Sequence, residues 1–299
     1  MSEGTDKRQG RTGLVMEGGA MRGLFTAGVT DVLMENGITF DGAIGVSAGA
    51  VFGCNFKSCQ PGRAVRYNLR FHDEPRFCSF RSWLKTGDLF AAQFCYHDIP
   101  DTLDPFDREA YRTNPMPFYV VCTDLETGMP FYKEAGSGDG EDMKWFQASA
   151  SMPLFSRVVE IDGRSYLDGG MTDPIPLRQF EKMGYDRNVV ILTQPGGYRK
   201  KAGSPSVLKL FLRRYPGICE AMQHRHEMYN RQMDELDRRE AEKRALILRP
   251  PEDLRIGHTE KNPKELERVY RVGRKEAEKR LTEIRQWLRN DGRPDREGA

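Results

Sequence analysis

The sequence lacks any long hydrophobic run and any closely spaced pair of cysteines. No apolar stretch in its 299 residues approaches the roughly 18 residues that a membrane-spanning helix needs. The first eleven residues are polar and have no apolar core, so no signal peptide is predicted. None of the six cysteines has C-x-x-C spacing. This argues against a zinc site or a disulfide framework and favours reduced thiols in the cytoplasm.

The chain does have enough apolar residues for a sizeable core beneath a very polar surface. Hydrophobic residues make up 38% and charged residues 30%, which fits one large α/β domain or two small ones. Residues 199–299 carry 26 Lys and Arg against 18 Asp and Glu, whereas the rest of the chain carries 20 against 26. The basic last third suggests an anionic partner. A pair of solvated charged helices explains the same pattern and is slightly preferred.

The amino-terminal residues show the pattern of a βαβ unit. Residues 13–17 predict a strand, residues 24–35 place apolar side chains on one face of a helix, and residues 43–46 predict a second strand. Two strands joined by one helix are usually parallel neighbours, so a mainly parallel sheet is expected. A glycine-rich loop at 18–23 connects the first strand to the helix.

This glycine-rich loop allows two interpretations. A dinucleotide-binding loop needs an acidic residue at the end of the second strand, but Asp41 precedes that strand. We therefore interpret the loop as an oxyanion loop, whose bare backbone N–H groups face charge that develops on a carbonyl oxygen. Gly19 and Ala20 are the expected donors, with Gly18 as a third. Arg22 is expected to brace the loop, to meet a phosphate or to form a surface salt bridge.

The second strand runs into a G-x-S-x-G motif from Gly45 to Gly49. A sharp strand-to-helix turn holds its central residue in strained backbone angles and crowds the flanking positions. Glycine at both ends removes the side chains that would clash. Ser47 would then stand at a helix N-terminus, where developing negative charge is favoured. Ser47 is therefore the candidate nucleophile, although an ordinary glycine-rich turn has the same pattern.

A serine nucleophile needs a base, and the chain offers a histidine or an aspartate. In the triad of an α/β-hydrolase, the serine, the acid and the histidine follow one another in that order along the chain, which leaves His224, His226 and His258. Of these, His258 is the best candidate, because the other two lie on a charged predicted helix. Asp168 ends a predicted strand and is followed by two glycines, which permit close approach of another group. Desolvation favours the neutral form of a carboxyl group and so makes its anion a better proton acceptor. A Ser–Asp dyad is therefore physically reasonable.

Three motifs together resemble the patatin-like phospholipases, particularly their bacterial members. The matching residues are Gly18, Gly19, Arg22 and Gly23 in the loop, Gly45, Ser47 and Gly49 in the elbow, and Asp168-Gly169-Gly170. The resemblance covers roughly residues 12–195. It implies a Ser–Asp dyad of Ser47 and Asp168, an oxyanion hole in the glycine-rich loop and lipid acyl hydrolase activity. It also implies that no metal takes part in the reaction.

The expected fold is a three-layer α/β/α sandwich around a mainly parallel sheet. A catalytic domain is expected at 12–195 and a basic, mainly helical C-terminal extension packed on it at 196–290, with disorder at 1–11 and 291–299. The expected activity is phospholipase A or lysophospholipase-type ester hydrolysis through an acyl-enzyme, without a cofactor. The alternatives are a triad esterase that uses His258 and a non-catalytic lipid- or partner-binding module on the same fold.

The expected location is the cytoplasm, with a peripheral contact to the anionic inner face of a membrane as a further expectation. Segment 206–214 mixes apolar side chains with cations, as interfacial segments do. The preferred interpretation is that its apolar residues dock the C-terminal helices. Lipid or ester is the expected substrate and no nucleic acid partner is expected, while the oligomeric state is not determined by the sequence.

Overall fold

The computed structural model of the protein describes residues 10–203 and 212–289. The disorder expected at the termini therefore concerns residues that lie almost entirely outside the described ranges. Most of segment 206–214, for which docking of the helices or membrane contact is expected, also lies outside them. An eight-stranded sheet organises the described residues. None of the described helices is long and apolar enough to cross a membrane.

The sheet is mainly parallel. Five of its strands are parallel to one another: β1 (Thr12–Met16), β2 (Gly42–Val46), β3 (Phe118–Asp124), β7 (Arg187–Ile191) and β8 (Ala245–Leu248). They form a parallel series in the order β3-β2-β1-β7-β8. The others are β4 (Pro130–Glu134), β5 (Val159–Ile161) and β6 (Arg164–Asp168). Both β4 and β6 are antiparallel to β3, and β5 is antiparallel to β6.

Ten α-helices surround the sheet within the described ranges. They are α1 (Gly23–Glu35), α2 (Ala48–Lys57), α3 (Arg63–Arg70), α4 (Phe80–Thr86), α5 (Arg108–Thr113), α6 (Gly140–Ser149), α7 (Leu177–Lys182), α8 (Pro216–Gln223), α9 (Arg225–Ala241) and α10 (Pro263–Arg289). A π-helical stretch, Phe94–Leu103, lies between α4 and α5. Single 3-10 turns, Ala20–Arg22 and Gly169–Met171, follow β1 and β6.

The helices cover both faces of the sheet. Alternate residues of a strand point to opposite faces, and in β1 Leu14 and Met16 enter one core whereas Val15 enters the other. Helices α1, α2, α6 and α10 contribute to the first core, and α7 and α9 contribute to the second. The predicted three-layer sandwich around a mainly parallel sheet, with a helical C-terminal segment, is confirmed.

The C-terminal extension is built into this sandwich. Strand β8 extends the sheet by pairing with β7. Helix α10 crosses α1 at two glycines: a Cβ on Gly28 would lie 2.1 Å from the carbonyl oxygen of Tyr270, and one on Gly273 would lie 2.1 Å from that of Phe25. The backbones of the two helices therefore touch, and the sheet continues past the expected boundary at residue 195.

Strand β3 determines where the end of β6 lies. One side of β3 is occupied by β4, so β2 and β6 share the other side. Strand β2 pairs with β3 as far as Val121, and β6 takes over at Cys122, whose partner is Asp168. The two strands run in opposite directions and meet end to end. Ser47, the residue that follows β2, is thereby brought beside Asp168.

Candidate active site

The turn between β2 and α2 is a strained elbow. Ser47 has φ 54° and ψ −124°, a backbone conformation that residues other than glycine rarely adopt. A Cβ on Gly45 would lie 2.5 Å from the carbonyl oxygen of Gly49, and one on Gly49 would lie 2.4 Å from that of Met16. Both glycines are therefore required by close backbone approach, as the motif predicts.

Two serines and an aspartate are joined by hydrogen bonds at this elbow. The Ser47 hydroxyl donates to Oδ2 of Asp168 at 2.6 Å. The backbone N–H of Ser47 donates to Oγ of Ser149 at 2.9 Å, and Ser149 in turn donates to the carbonyl of Val121 at 2.6 Å. Ser149 thus ties the elbow to β3. No sequence pattern gave Ser149 this positioning role.

Asp168 is buried, and both of its carboxylate oxygens accept hydrogen bonds. Oδ1 accepts the backbone N–H of Gly170 at 2.7 Å, while Oδ2 accepts the hydroxyl of Ser47. A Cβ on Gly169 would lie 2.2 Å from a carbonyl oxygen of β3, so this glycine allows the close approach. Burial raises the pKa of Asp168, and the hydrogen bonds from Ser47 and Gly170 and the charge of Arg225 offset part of that rise. The carboxylate is therefore a stronger proton acceptor than an exposed one.

The glycine-rich loop lies against Ser47. A Cβ on Gly18 would lie 2.9 Å from Cβ of Ser47, so only glycine fits there without displacement. Within the described part of the chain, the backbone N–H groups of Gly18, Gly19 and Ala20 have no hydrogen-bond partner. Ala20 has φ 48° and borders the same cavity as Ser47. The loop thus offers free donors close to the serine, as an oxyanion hole requires.

The two remaining loop residues of the predicted site have different surroundings. Gly23 begins α1, and a Cβ there would lie 2.7 Å from Cβ of Ala48, so this position is one of close helix packing. Arg22 is half-buried, and its Nε atom is buried without a hydrogen-bond partner in the residues that the structure describes. Arg22 therefore does not brace the loop through that atom.

His258, the alternative base, does not contact the serine. No hydrogen bond joins His258 to Ser47 within the described residues, and the Ser47 hydroxyl donates to Asp168 instead. Desolvation lowers the pKa of His258, and so do the charges of three nearby cations, Arg22, Lys200 and Arg225. A histidine in such a positive environment holds a proton less readily than usual, which makes it a poorer general base.

An apolar cavity opens beside Ser47. Its walls come from α2, α3, α6 and the segment 77–106, and include Met21, Phe52, Tyr67, Phe77, Ile99 and Phe146. These side chains belong to the core on the α1 and α2 face of the sheet. Ser47 is itself a lining residue, so an apolar group bound in the cavity would lie beside the serine. A strained serine, a buried carboxylate, free N–H groups and an apolar cavity are together typical of serine hydrolases that act on esters.

Comparison with known proteins agrees with this class. The model of the patatin-like phospholipase family matches residues 14–181, which is more than half of the chain, and the chain belongs to that family. Members of the family are typically hydrolases that act on lipid esters. Residues 215–289 match a second family model, described as a domain of unknown function, DUF6363.

Several relatives share part of the chain. The uncharacterized protein YjjU of Escherichia coli K12 is 32% identical over 203 residues, which cover 62% of this chain and 53% of that protein. The uncharacterized NTE family protein Rv1063c of Mycobacterium tuberculosis is 26% identical over 189 residues, which cover 60% of this chain and 48% of that protein. The chain thus spans about half the length of these relatives. VipD from Legionella pneumophila has a solved structure that matches with a TM-score of 0.46 at 13% identity, covering 91% of this chain and 67% of that one.

Proposed function

We propose that the protein is a serine lipid acyl hydrolase of the phospholipase A or lysophospholipase type, with Ser47 and Asp168 as a catalytic dyad. The observation that carries this proposal is the 2.6 Å hydrogen bond from the Ser47 hydroxyl to Oδ2 of Asp168. It lies beside an apolar cavity and next to free backbone N–H groups. The hydroxyl is thus already oriented toward its base.

In the first half-reaction, Asp168 accepts the hydroxyl proton of Ser47 while Oγ attacks the ester carbonyl carbon. The negative charge that moves to the carbonyl oxygen is stabilised by the N–H groups of Gly19 and Ala20, with that of Gly18 as a third donor. When the intermediate collapses, the bond to the alcohol breaks and Asp168 gives the proton to the leaving oxygen. The acyl group remains on Ser47 as an ester.

In the second half-reaction, water replaces the alcohol. Asp168 accepts a proton from this water as its oxygen attacks the acyl carbonyl, and the same N–H groups hold the oxyanion. Collapse breaks the bond to Ser47, and the proton returns from Asp168 to Oγ. The fatty acid leaves and the enzyme regains its initial state. No metal or cofactor takes part in this scheme.

A fluorophosphonate probe tests whether Ser47 is an activated nucleophile. We expect the folded protein to be labelled at Ser47, because the phosphorus centre mimics the attacked carbonyl and the departing fluoride needs no further activation. Heat-unfolded protein, which has lost the Asp168 contact, is the control and should not react. Mass spectrometry of the labelled peptide identifies the site. Failure of the folded protein to react at Ser47 would favour the non-catalytic binding module.

We further propose that an anionic lipid surface is contacted through α4 and the loop beside it. In the described part of segment 206–214, Leu212 is fully buried, whereas Arg213 and Arg214 are exposed, so this part offers cations but no exposed apolar side chain. By contrast, Phe80, Leu84 and Phe155 are 65%, 70% and 48% exposed. We call these three residues the α4 surface.

The α4 surface lies at the edge of the apolar cavity. The indole N–H of Trp83 in α4 donates to the carbonyl of Leu154 at 2.9 Å, which joins the helix to the loop that carries Phe155. Residues 152 and 156, which flank this loop, line the cavity. Helix α4 also carries Arg81 and Lys85, which are exposed and form no ion pair among the described residues. Apolar side chains flanked by cations suit an anionic lipid interface.

Replacing Phe80 and Leu84 together by serine should weaken sedimentation with anionic vesicles about 10-fold or more. Each side chain gains roughly 1.5–3 kcal/mol when it is fully removed from water, and both would enter the acyl boundary. Met129→Ser is the matched control, because Met129 is 61% exposed but lies on the α7 and α9 side of the sheet. Equal sedimentation of the double variant and the wild type would remove the α4 surface from membrane contact.

A further inference from the structure

The C-terminal extension brings a cation to the proposed dyad. Arg225, the first residue of α9, donates from Nε to the carbonyl of Gly170 at 2.6 Å. Gly170 itself donates to Oδ1 of Asp168 at 2.7 Å. A single residue therefore separates the Arg225 guanidinium from the carboxylate. The two terminal nitrogens of Arg225 have no hydrogen-bond or ion-pair partner among the described residues.

A second cation, Lys200, lies near the start of the glycine-rich loop. Its Nζ is 5.1 Å from the ring centre of Tyr229, which is one helical turn after Arg225 on α9. The Tyr229 hydroxyl donates to Glu17 at 2.8 Å, and Glu17 directly precedes the loop. Lys200 forms no ion pair in the described part of the chain.

The third cation, Arg22, belongs to the loop itself. Glu17 directly precedes this loop, and Lys200 packs on Tyr229, whose hydroxyl donates to Glu17, so Arg22 and Lys200 both lie near Glu17. Arg22 has a buried Nε without a hydrogen-bond partner and no ion pair among the described residues. A guanidinium nitrogen left buried without a partner is costly in free energy. The two terminal nitrogens of Arg22 also have no hydrogen-bond partner among the described residues and are not among its buried atoms, so they are the donors that an anion would meet.

The neighbouring carboxylates do not neutralise these cations. Glu17 and Asp168 are the acidic groups whose charges act on Arg225. The oxygens of Glu17 already accept hydrogen bonds from Tyr229 and Thr193, and those of Asp168 from Ser47 and Gly170. Even with both carboxylates ionised, they are fewer than the three cations Arg22, Lys200 and Arg225. The region therefore keeps a net positive charge.

The apolar cavity and the helix that carries Arg225 lie on opposite faces of the sheet. The cavity walls belong to the core on the α1 and α2 face, whereas α9, which carries Arg225 and Tyr229, packs on the other face. An ester whose acyl chain fills the cavity therefore directs its alcohol part toward the cations. Two guanidinium groups and an ammonium suit a phosphate, which offers several oxygens and one or two negative charges.

We propose that Arg22, Lys200 and Arg225 bind a phosphate group on the alcohol part of the ester that Ser47 attacks, as in a glycerophospholipid. This inference rests on the proposed function. The C-terminal extension then takes part in substrate binding, because Arg225 lies on α9 and Lys200 lies in the part of the extension before it. The proposed role of the extension is to select phosphate-bearing esters over neutral ones.

The test compares two substrates that differ only in the phosphate. For the wild type we expect kcat/KM for a lysophosphatidic acid to exceed that for the monoacylglycerol with the same acyl chain by about 10²-fold. Lys200→Gln should reduce this ratio about 10-fold or more, in line with one charged hydrogen bond. Arg199→Gln is the matched control, because Arg199 is ion-paired with Asp234 at 2.5 Å, and it should keep the wild-type ratio. A wild type without preference, or an unchanged ratio in Lys200→Gln, would overturn the proposal.

Inhibition distinguishes a headgroup site from a site for free phosphate. Glycerol 3-phosphate should compete with a neutral short-chain ester, and more weakly so in Lys200→Gln. If inorganic phosphate inhibits equally well and the substrate preference is absent, the site binds free phosphate and the headgroup assignment is wrong. Calorimetric titration with glycerol 3-phosphate needs no turnover. It therefore tests the cationic site even if Ser47 proves inert and the proposed function fails.

The phosphate preference should also depend on pH. Burial, followed by the charge of Arg225, lowers the pKa of Lys200 to about 8, while Glu17 acts in the opposite direction and Arg22 adds to the lowering. Tyr229, whose pKa burial and Glu17 raise, stays neutral beside it. Lys200 loses its charge as pH rises through about 8, so the wild-type preference should fall there. Lys200→Gln should lack this change, and a preference that is constant from pH 7 to 9 would contradict the role of Lys200.

Discussion

Ser47→Ala and Asp168→Asn are each expected to lower kcat for ester hydrolysis by about 10³-fold or more, because the two side chains act as one unit. Alanine removes the attacking oxygen. Asparagine keeps the shape of the carboxylate and can still accept the N–H of Gly170, but it cannot take the serine proton. Both variants should therefore keep the fold while losing the reaction. Thermal unfolding followed by circular dichroism checks the fold independently of the rate.

His258→Ala provides the matched control for this result. The histidine makes no hydrogen bond to Ser47 among the described residues, so its removal should leave kcat for a neutral short-chain ester within about 2-fold of the wild type. Loss of activity in His258→Ala, together with retained activity in Asp168→Asn, would replace the dyad by a histidine-based triad.

Gly18→Ala is expected to lower kcat/KM by about 10²-fold. The added methyl group would lie 2.9 Å from Cβ of Ser47 and 3.0 Å from the carbonyl oxygen of Val46, so either the serine or the loop has to move. A displacement of about 1 Å between nucleophile and oxyanion donors can cost on the order of 10²-fold in rate. The reaction should suffer far more than the fold, because the strain falls on one loop and one side chain.

Gly136→Ala is the corresponding control. A Cβ on Gly136 would have no heavy atom within 4 Å, so this change adds the same methyl group in open space. Measuring kcat/KM, the rate of fluorophosphonate labelling and the midpoint of thermal unfolding separates local from global effects. If Gly18→Ala is as active as Gly136→Ala, the loop does not approach the serine as the structure shows.

The sequence predicted most of the fold that supports the site. The strands predicted at 13–17 and 43–46 match β1 and β2, and the helical pattern at 24–35 matches α1. Such patterns are local, because a buried strand or helix face is recorded in consecutive residues. The G-x-S-x-G motif likewise predicted strained backbone angles at Ser47, where φ is positive, since the strain and the two glycines belong to one turn.

Other features of the site could not be predicted because they depend on distant parts of the chain. Arg225 lies on α9, a charged helix for which the sequence does not indicate which residues meet the site. Its contact with Gly170 arises because α9 packs across the sheet near the end of β6. The sequence also does not indicate that Ser149 would accept the backbone N–H of Ser47. The excess of Lys and Arg after residue 199 was the one available signal, and it does not specify which cation meets the site.

By itself, the sequence determined which residues could react and the type of sheet that carries them. It placed Ser47 in an elbow and Asp168 at a strand end, but it did not determine that the two would meet. The tertiary structure decided this, because β4 fills one side of β3 and forces β2 and β6 to share the other, end to end. Strand pairing between distant segments is set by global packing, so only the folded sheet brings the serine hydroxyl to within 2.6 Å of the carboxylate.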